Sequence, residues 1–513
     1  MSPIGLERQD PMSRDVVRPE RADRPPLVVV SNREPYLHTR ADNGRIVWTT
    51  TTGGVAVALD ALMRERGGVW IAHGEGSADR EVVDRNDHVD VPPEAPSYQL
   101  RRIWLSEQEV ARYYGGFSNE GLWPLCHVVH VRPEFRAADW SAYKAVNARF
   151  ARAVDEELTD PLAPVFIQDY HLALLAPALR QLRPDVRTAI FWHIPWPDPD
   201  RLRICPWRKE LVRGLLANNL VAFQLERDRR NFLRAAQELG LETDFKAGTV
   251  SERGRQTTIF AIPIGIDFER IQTIAADEAL DADTRRLKRE FKLDVPIVGV
   301  GVDRLDYTKG IPERLEAIDL LLRRDPELRG QLAFVQIGVP SRSKLTSYRS
   351  IEREIDGLVD DINRRHAIDG GPGPIRYRKS SLKIRSLVAL YRLADFCIVS
   401  SLHDGMNLVA KEFVAARDDN DGVLVLSELA GAAQELGEAL LINPYDVEGF
   451  ADALRRALDM PKSERAQRMR ALRVTVAGAD VFGWASGILE GLEHLATRPP
   501  VLTSSKRVVA QPR

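Results

Sequence analysis

Two doubly wound α/β domains facing a cleft are the fold that this chain predicts, on three observations. Short apolar runs alternate with longer helical patterns from residue 27 onward, as parallel strands joined by right-handed crossovers do. The runs form two sets, parted at Ile262-Pro263-Ile264-Gly265-Ile266-Asp267, where proline and glycine break the pattern. Polar, glycine-bearing motifs follow several runs directly, which is where a doubly wound sheet meets its ligand. Each domain is therefore expected to be Rossmann-like, with the site between them.

In the first set the candidate strands are residues 27–30, 69–72, 165–168, 189–192, 221–223 and 259–262. In the second they are 297–302, 333–337, 396–399, 423–426 and 440–442. Five or six strands apiece suit two sheets better than one oversized one. Asp42-Asn43-Gly44-Arg45 is a two-residue hairpin signal between residues 36–39 and 46–50. At a strand's carboxyl end, such a hairpin is expected to act as a flap. The expected organisation is a first domain at 27–266, a second at 267–480 and a helix at 481–497 returning to the first. Polar tails at 1–26 and 498–513 are expected to be disordered.

At 513 residues the chain has length for two or three domains and ample core. Apolar residues make up 44% and charged residues 28%, ordinary for a globular protein. A formal charge of −2 provides no basic field for nucleic acid, so no nucleic-acid partner is expected. Cys126, Cys205 and Cys397 are widely spaced in apolar contexts, which fits reduced thiols in a cytoplasm. No uncharged run approaches the ~18 residues of a membrane helix, and the polar N-terminus is not a secretory signal. No membrane partner is expected.

Residues 404–412, Asp-Gly-Met-Asn-Leu-Val-Ala-Lys-Glu, follow the run 396–399 and open an apolar helix. Such a strand–turn–helix aims free backbone N–H groups and a helix dipole at an anion. The carboxylates Asp404 and Glu412 cannot serve that anion and are left for neutral hydroxyls, as on a sugar or ribose. Arg304 and Lys309, in Arg-Leu-Asp-Tyr-Thr-Lys-Gly after residues 297–302, can clamp a diphosphate and steady a leaving group. Together these segments suggest a nucleotide-sugar site.

Gly53-Gly54 opens a helical run and lets a ligand approach the backbone. Neither a Gly-x-Gly-x-x-Gly nor a P-loop spacing is present, which disfavours a nicotinamide-dependent dehydrogenase and a P-loop kinase. Asp169-Tyr170-His171 and His193-Ile194-Pro195 follow strands 165–168 and 189–192. Tyr113 to Trp123 is aromatic and glycine-rich without helical periodicity, suited to a phosphorylated sugar. Asp198-Pro-Asp200 and Asp281-Ala-Asp283 have the Asp-x-Asp form of metal-dependent glycosyltransferases. Both are discounted, one as proline-bounded and the other as an acidic helix start, so no metal and no cofactor are expected.

These motifs in order resemble the trehalose 6-phosphate synthase family, retaining glucosyltransferases of the two-Rossmann GT-B fold. The resemblance spans residues 27–490, including Val-Ser-Asn-Arg at 30–33. It implies transfer of glucose from a nucleoside-diphosphate glucose to glucose 6-phosphate, giving α,α-trehalose 6-phosphate. UDP-glucose is the first expectation for the donor and GDP-glucose the second. The implied catalytic set is Arg304, Lys309, Asp404 and His193. The implied donor contacts add Gly53, Gly54, Leu382 near the base, Leu408, Val409, Ala410, Lys411 and Glu412 on the ribose. The implied acceptor contacts are Arg33, Tyr114 and Arg342 on the phosphate, with Trp123 and Asp169 on the sugar. The family is thought to use metal-independent front-face substitution, in which the departing diphosphate takes the acceptor's proton. Relatives commonly form tetramers, so a homo-oligomer is allowed.

One position departs from the pattern. The family often has Trp-x-x-Trp where this chain has Trp70-Ile71-Ala72-His73, so His73 replaces an expected aromatic wall of the acceptor pocket. That keeps open a glucosylglycerol-phosphate synthase or a cyclitol-coupling pseudo-glycosyltransferase. A non-catalytic sugar-phosphate-binding regulatory subunit would be expected to lose Arg304, Lys309, Asp404 or Glu412, and all four are present.

Overall fold

The computed structural model describes residues 25–50 and 54–497. The expected tails (except residues 25 and 26) and Gly53 lie outside the described residues. The first sheet draws on β1 (Leu27–Arg33), β4 (Gly68–His73), β5 (His88–Val91), β6 (Tyr98–Ile103), β7 (Pro164–Gln168), β8 (Arg187–Trp192) and β9 (Leu220–Phe223). It continues with β10 (Glu242–Asp244), β11 (Thr249–Glu252) and β12 (Arg255–Ala261). Their order is β10-β11-β12-β9-β8-β7-β1-β4-β6-β5. The second sheet is built from β13 (Ile297–Arg304), β14 (Leu332–Val339), β15 (Ile375–Arg378), β16 (Phe396–Val399), β17 (Val423–Ser427) and β18 (Leu440–Ile442). Its order is β15-β14-β13-β16-β17-β18, parallel throughout.

The central strands are buried on both faces: β7 (Pro-Val-Phe-Ile-Gln) and β9 (Leu-Val-Ala-Phe) are buried at every position. Helices cover both faces of a parallel sheet, so its strands read as continuous apolar runs. Every candidate strand is therefore present. The first sheet is larger than the five or six strands expected, because β5, β6, β10 and β11 escape an apolar-run search. They read His-Val-Asp-Val, Tyr-Gln-Leu-Arg-Arg-Ile, Glu-Thr-Asp and Thr-Val-Ser-Glu, at or next to the sheet's edges. β15 (Ile-Arg-Tyr-Arg) is missed in the second sheet for the same reason.

The hairpin is present as β2 (Tyr36–Arg40) and β3 (Ile46–Thr50), a separate two-stranded sheet. A buried charge cluster anchors its base. Arg102 donates to Glu34 at 2.6 Å and to the Tyr36 carbonyl at 3.0 Å, and pairs with Asp79 at 3.0 Å. Burial, with a hydrogen bond to Asp79, pushes the Glu34 carboxyl up to about 8.

The chain crosses between the sheets twice, and the crossings lie side by side: Ile266 bridges Asp480. The helix Val481–Thr497 then packs on the first sheet's side, with Trp484 5.9 Å from Phe166 and 4.9 Å from Phe191 between ring centroids. Arg66, from the helix Gly54–Arg66, pairs with Glu493 at 2.9 Å. No helix among the described residues is long and apolar enough to cross a membrane.

Candidate active site

The sheet orders set the motif-bearing strands next to one another, β8-β7-β1 in one sheet and β14-β13-β16 in the other. All are parallel within their sheet, so their carboxyl ends share one edge, where open α/β sheets bind ligands. A cleft of about 500 Å³ is lined by residues of both sheets' strand ends.

On the first side, β1 ends at Arg33, whose Nη2 stands 3.5 Å from the Tyr114 hydroxyl. Tyr114 stacks on His171 with centroids 5.5 Å apart and planes 12° apart. Burial would raise the Tyr114 phenol, but the Arg342 and Arg33 guanidiniums outweigh it and hold it below its usual value. β7 delivers Asp169, with φ of 71°, and its carboxylate accepts from Tyr170 N at 2.8 Å and His193 N at 3.1 Å. Strained φ/ψ at a non-glycine residue concentrates at functional sites. Burial pushes the Asp169 carboxyl up to about 7 despite those bonds. His193 follows β8, and burial pushes its imidazole down to about 3, so it is neutral at ordinary pH.

Tyr113–Trp123 is a correction to the reading of an irregular stretch: Val110–Leu122 is a π-helix leading into the short helix Trp123–Cys126. The Trp123 amide donates to the Ser118 carbonyl five residues back, a wide turn that 3.6-periodicity does not detect. Arg201 clamps the far end of that short helix, donating to the carbonyls of Pro124 at 2.7 Å, Leu125 at 2.6 Å and His127 at 2.6 Å. Orphan carbonyls at a helix end need such partners, and the clamp fixes where the Trp123 indole stands.

On the second side, β13 ends at Arg304, and the loop behind it carries Lys309. Lys309 Nζ donates to Asp404 Oδ2 at 2.5 Å. Burial would raise the Asp404 carboxyl, but the Lys309 ammonium overrides it and holds it far below the usual carboxylate range. Arg342, with φ of 50°, reaches across to the first side. Its Nη2 donates to the Tyr170 hydroxyl at 3.2 Å, and its guanidinium lies 4.0 Å above the Trp123 ring. The Arg304 guanidinium is 5.3 Å from the same ring. Asp306 unites the pair, 3.4 Å from Arg342 and 3.9 Å from Arg304.

The helix Leu408–Ala416 points its N-terminus at the cleft, and Leu408 and Val409 line it. Asn407, at φ of 116°, caps the helix by accepting from Ala410 N at 3.2 Å. The amides of Leu408 and Val409, in the first turn, are left without intrahelical acceptors and with the dipole behind them. Two glycines are sterically required here. A β-carbon on Gly310 (φ of 61°) would sit 2.0 Å from the Ser400 carbonyl oxygen, and one on Gly405 2.4 Å from that of His193.

Of the residues named from sequence, Arg33, Tyr114, Trp123, Asp169, His193, Arg304, Lys309, Arg342, Asp404, Leu408 and Val409 all line this one cleft. Gly54 begins a helix whose Val55 and Ala56 are in the lining, whereas Gly53 is outside the described residues. Four others are not in the lining. Leu382 is buried in an apolar core. The Ala410 amide is taken by Asn407, and the buried Lys411 ammonium bonds the Ile264 carbonyl at 2.8 Å and Glu435 at 2.7 Å. Glu412 lies one turn into the helix and accepts from the Tyr391 hydroxyl at 3.3 Å, and burial pushes it up to about 7.

His73 also differs from expectation. It is buried with Nδ1 3.0 Å from the Ile103 carbonyl, and Trp70 rather than His73 lines the cleft. The acidic triplets are occupied elsewhere: Asp198 caps a helix by accepting from Arg201 N, and Asp283 pairs with Arg385 at 3.0 Å.

Several contributors were not singled out from sequence. Asp306 and Tyr170 lie inside quoted motifs without an assigned part, and Gln168, Arg201 and His171 hold or flank the motif side chains. The only sequence signal for Gln168 is a polar residue ending a buried strand.

Comparisons with known proteins point to one family. The model described as glycosyltransferase family 20 matches residues 25–494. A trehalose-6-phosphate synthase of Mycobacterium avium (strain 104) is 40% identical over 483 residues, covering 92% of this chain and 96% of that one. An E. coli trehalose-6-phosphate protein solved with bound UDP-2-fluoro glucose is 33% identical at a TM-score of 0.81, over 91% of this chain and 98% of that one. A UDP-forming α,α-trehalose-phosphate synthase from Burkholderia xenovorans, in complex with glucose-6-phosphate, is 34% identical at a TM-score of 0.79. It is covered over 100% of its length by 91% of this chain.

Proposed function

The chain belongs to glycosyltransferase family 20, and on that premise we propose that it moves glucose from UDP-glucose to O1 of glucose 6-phosphate, with retention, releasing UDP. The observation that carries this reading is the presence of two anion-binding groups in one cleft. Arg33 and Arg342 converge on Tyr114, while Arg304, Lys309 and the helix start at Leu408–Val409 line the same cleft. The first group suits the dianion of a sugar phosphate and the second a diphosphate. The relatives solved with UDP-2-fluoro glucose and with glucose-6-phosphate support that pair of substrates.

In this reading Lys309 and Arg304 stabilise charge that appears as the glucose–phosphate bond breaks. Asp404, His193 and Asp169 orient sugar hydroxyls, which places O1 of the acceptor against the anomeric carbon. The carboxylates are poorly disposed as covalent nucleophiles. Asp404 is paired with Lys309, and Asp169 is held by two backbone N–H groups. Front-face substitution, with the leaving diphosphate taking the acceptor's proton, needs no such nucleophile.

The test is incubation of the protein with UDP-glucose or GDP-glucose and a panel of phosphorylated acceptors, followed by product mass and anomeric analysis. An α,α-1,1-linked disaccharide phosphate from UDP-glucose and glucose 6-phosphate is expected. An inverted linkage, or transfer to another acceptor only, would overturn the proposal.

A further inference from the structure

Gln168 is the last residue of β7, 4% exposed, with its side chain in the lining of the cleft. Its Oε1 lies 2.9 Å from His193 Nε2. Its own Nε2 is buried, with no partner among the described residues. The sheet dictates this neighbourhood: Gln168 is in register with Phe191 on β8, and Asp169 N donates to the Phe191 carbonyl at 2.8 Å.

An amide oxygen only accepts, so its bond to His193 requires Nε2 to carry the proton and leaves Nδ1 as an acceptor. The other groups around His193 do not set the tautomer. Asp169 accepts from its backbone N–H, the rings of Phe191 and Trp484 lie tilted with centroids 4.4 and 5.8 Å away, and the neighbouring His171 is held neutral by burial.

We propose that Gln168 is a positioning residue that fixes His193 as the Nε2–H tautomer and so leaves Nδ1 to accept from a hydroxyl of the donor sugar. The second clause rests on the glucosyl-transfer reading, whereas the tautomer does not. Gln168 thereby makes His193 an acceptor through Nδ1.

The test has two arms. In the full-length chain labelled with ¹⁵N-histidine, long-range ¹H–¹⁵N correlation reports each imidazole's tautomer, the His193 signals being those lost in His193→Gln. A protonated Nε2 and bare Nδ1 are expected. A protonated Nδ1, or an even mixture, would overturn the proposal. In the kinetic arm, Gln168→Met is expected to raise the donor KM about tenfold, the scale of one or two lost hydrogen bonds, with the acceptor KM unchanged. Gln168→Glu keeps an acceptor for Nε2–H but stabilises the imidazolium, so the acidic limb of kcat/KM for the donor should move to higher pH than in the parent, in which Asp169 and Glu412 already titrate near 7. Unchanged donor kinetics in Gln168→Met, or a parent-like pH profile in Gln168→Glu, would contradict it. If Gln168→Met does not fold, the parent spectrum and Gln168→Glu still decide. Should the chain prove inactive with every nucleotide-glucose, the spectrum tests the tautomer independently of the proposed activity.

Discussion

Lys309 and Asp404 neutralise each other at 2.5 Å in the cleft, so an arriving diphosphate must share the ammonium with the carboxylate. Lys309→Ala should lower kcat about 10²–10³-fold, the size of losing one donor to developing charge. Steady-state kinetics on variant protein shown to be folded by circular dichroism check this, and near-normal turnover would remove Lys309 from the diphosphate. Glu412 offers a pH test. Its folded-state value is raised to about 7 by burial, so between about pH 4.3 and 7 the folded state holds a proton that the unfolded state has lost. That contribution is full below the unfolded value and disappears as pH rises through 7. The melting temperature of Glu412→Gln should therefore improve relative to the parent between pH 5 and pH 8, and a falling difference would contradict the assignment. The cations and carboxylates of the cleft were legible in sequence because they stand in loops after strand runs, and Tyr114 and Trp123 because they sit in an aromatic, glycine-rich stretch. Gln168, Asp306 and Arg201 were not, because each acts on a neighbour brought close only by the sheets, Asp306 on Arg342 from 36 positions away.

Among the elements, the helix Leu408–Ala416 depends on its start. Asn407 holds the Ala410 amide and also donates to Asp404 at 3.3 Å, which joins the cap to the ion pair. Asn407→Ala should cost about 1 kcal/mol of stability, as lost N-caps do. It should also weaken UDP binding, both measurable by denaturant unfolding and calorimetry. A variant as stable and as tight-binding as the parent would show that the cap is dispensable. The apolar strands were readable because parallel strands buried on both faces spell continuous hydrophobic runs. Strands at or next to the edges were not, since β6 and β15 interleave arginines with apolar residues. The π-helix at Val110–Leu122 escaped for a different reason: its turn is wider than the 3.6-residue period used to find helices.

Taken whole, the molecule brings two sheets' strand ends together, and at Gly405 the backbones of the two sides are in close contact. A β-carbon there would lie 2.4 Å from the His193 carbonyl oxygen, so Gly405→Ala should force the two sides apart while leaving each core intact. A misplacement near 1 Å is worth about a hundredfold in rate, so kcat should fall on that scale with little change in the melting temperature. Parent-like kinetics would show that the contact does not govern closure. The two-domain class and the family were both legible from the order of the motifs, and the family match over residues 25–494 bears them out. The acceptor question raised at His73 was not decidable from sequence, because strand alternation sends Trp70 to the cleft and His73 to the Ile103 carbonyl.

In this account the Arg304 and Lys309 cations, with the amides at the Leu408 helix start, carry the departing diphosphate in place of a metal ion. Turnover of UDP-glucose with glucose 6-phosphate by protein treated with excess EDTA tests that most directly. An unchanged rate is predicted. A rate that collapses and returns only on adding a divalent cation would contradict it.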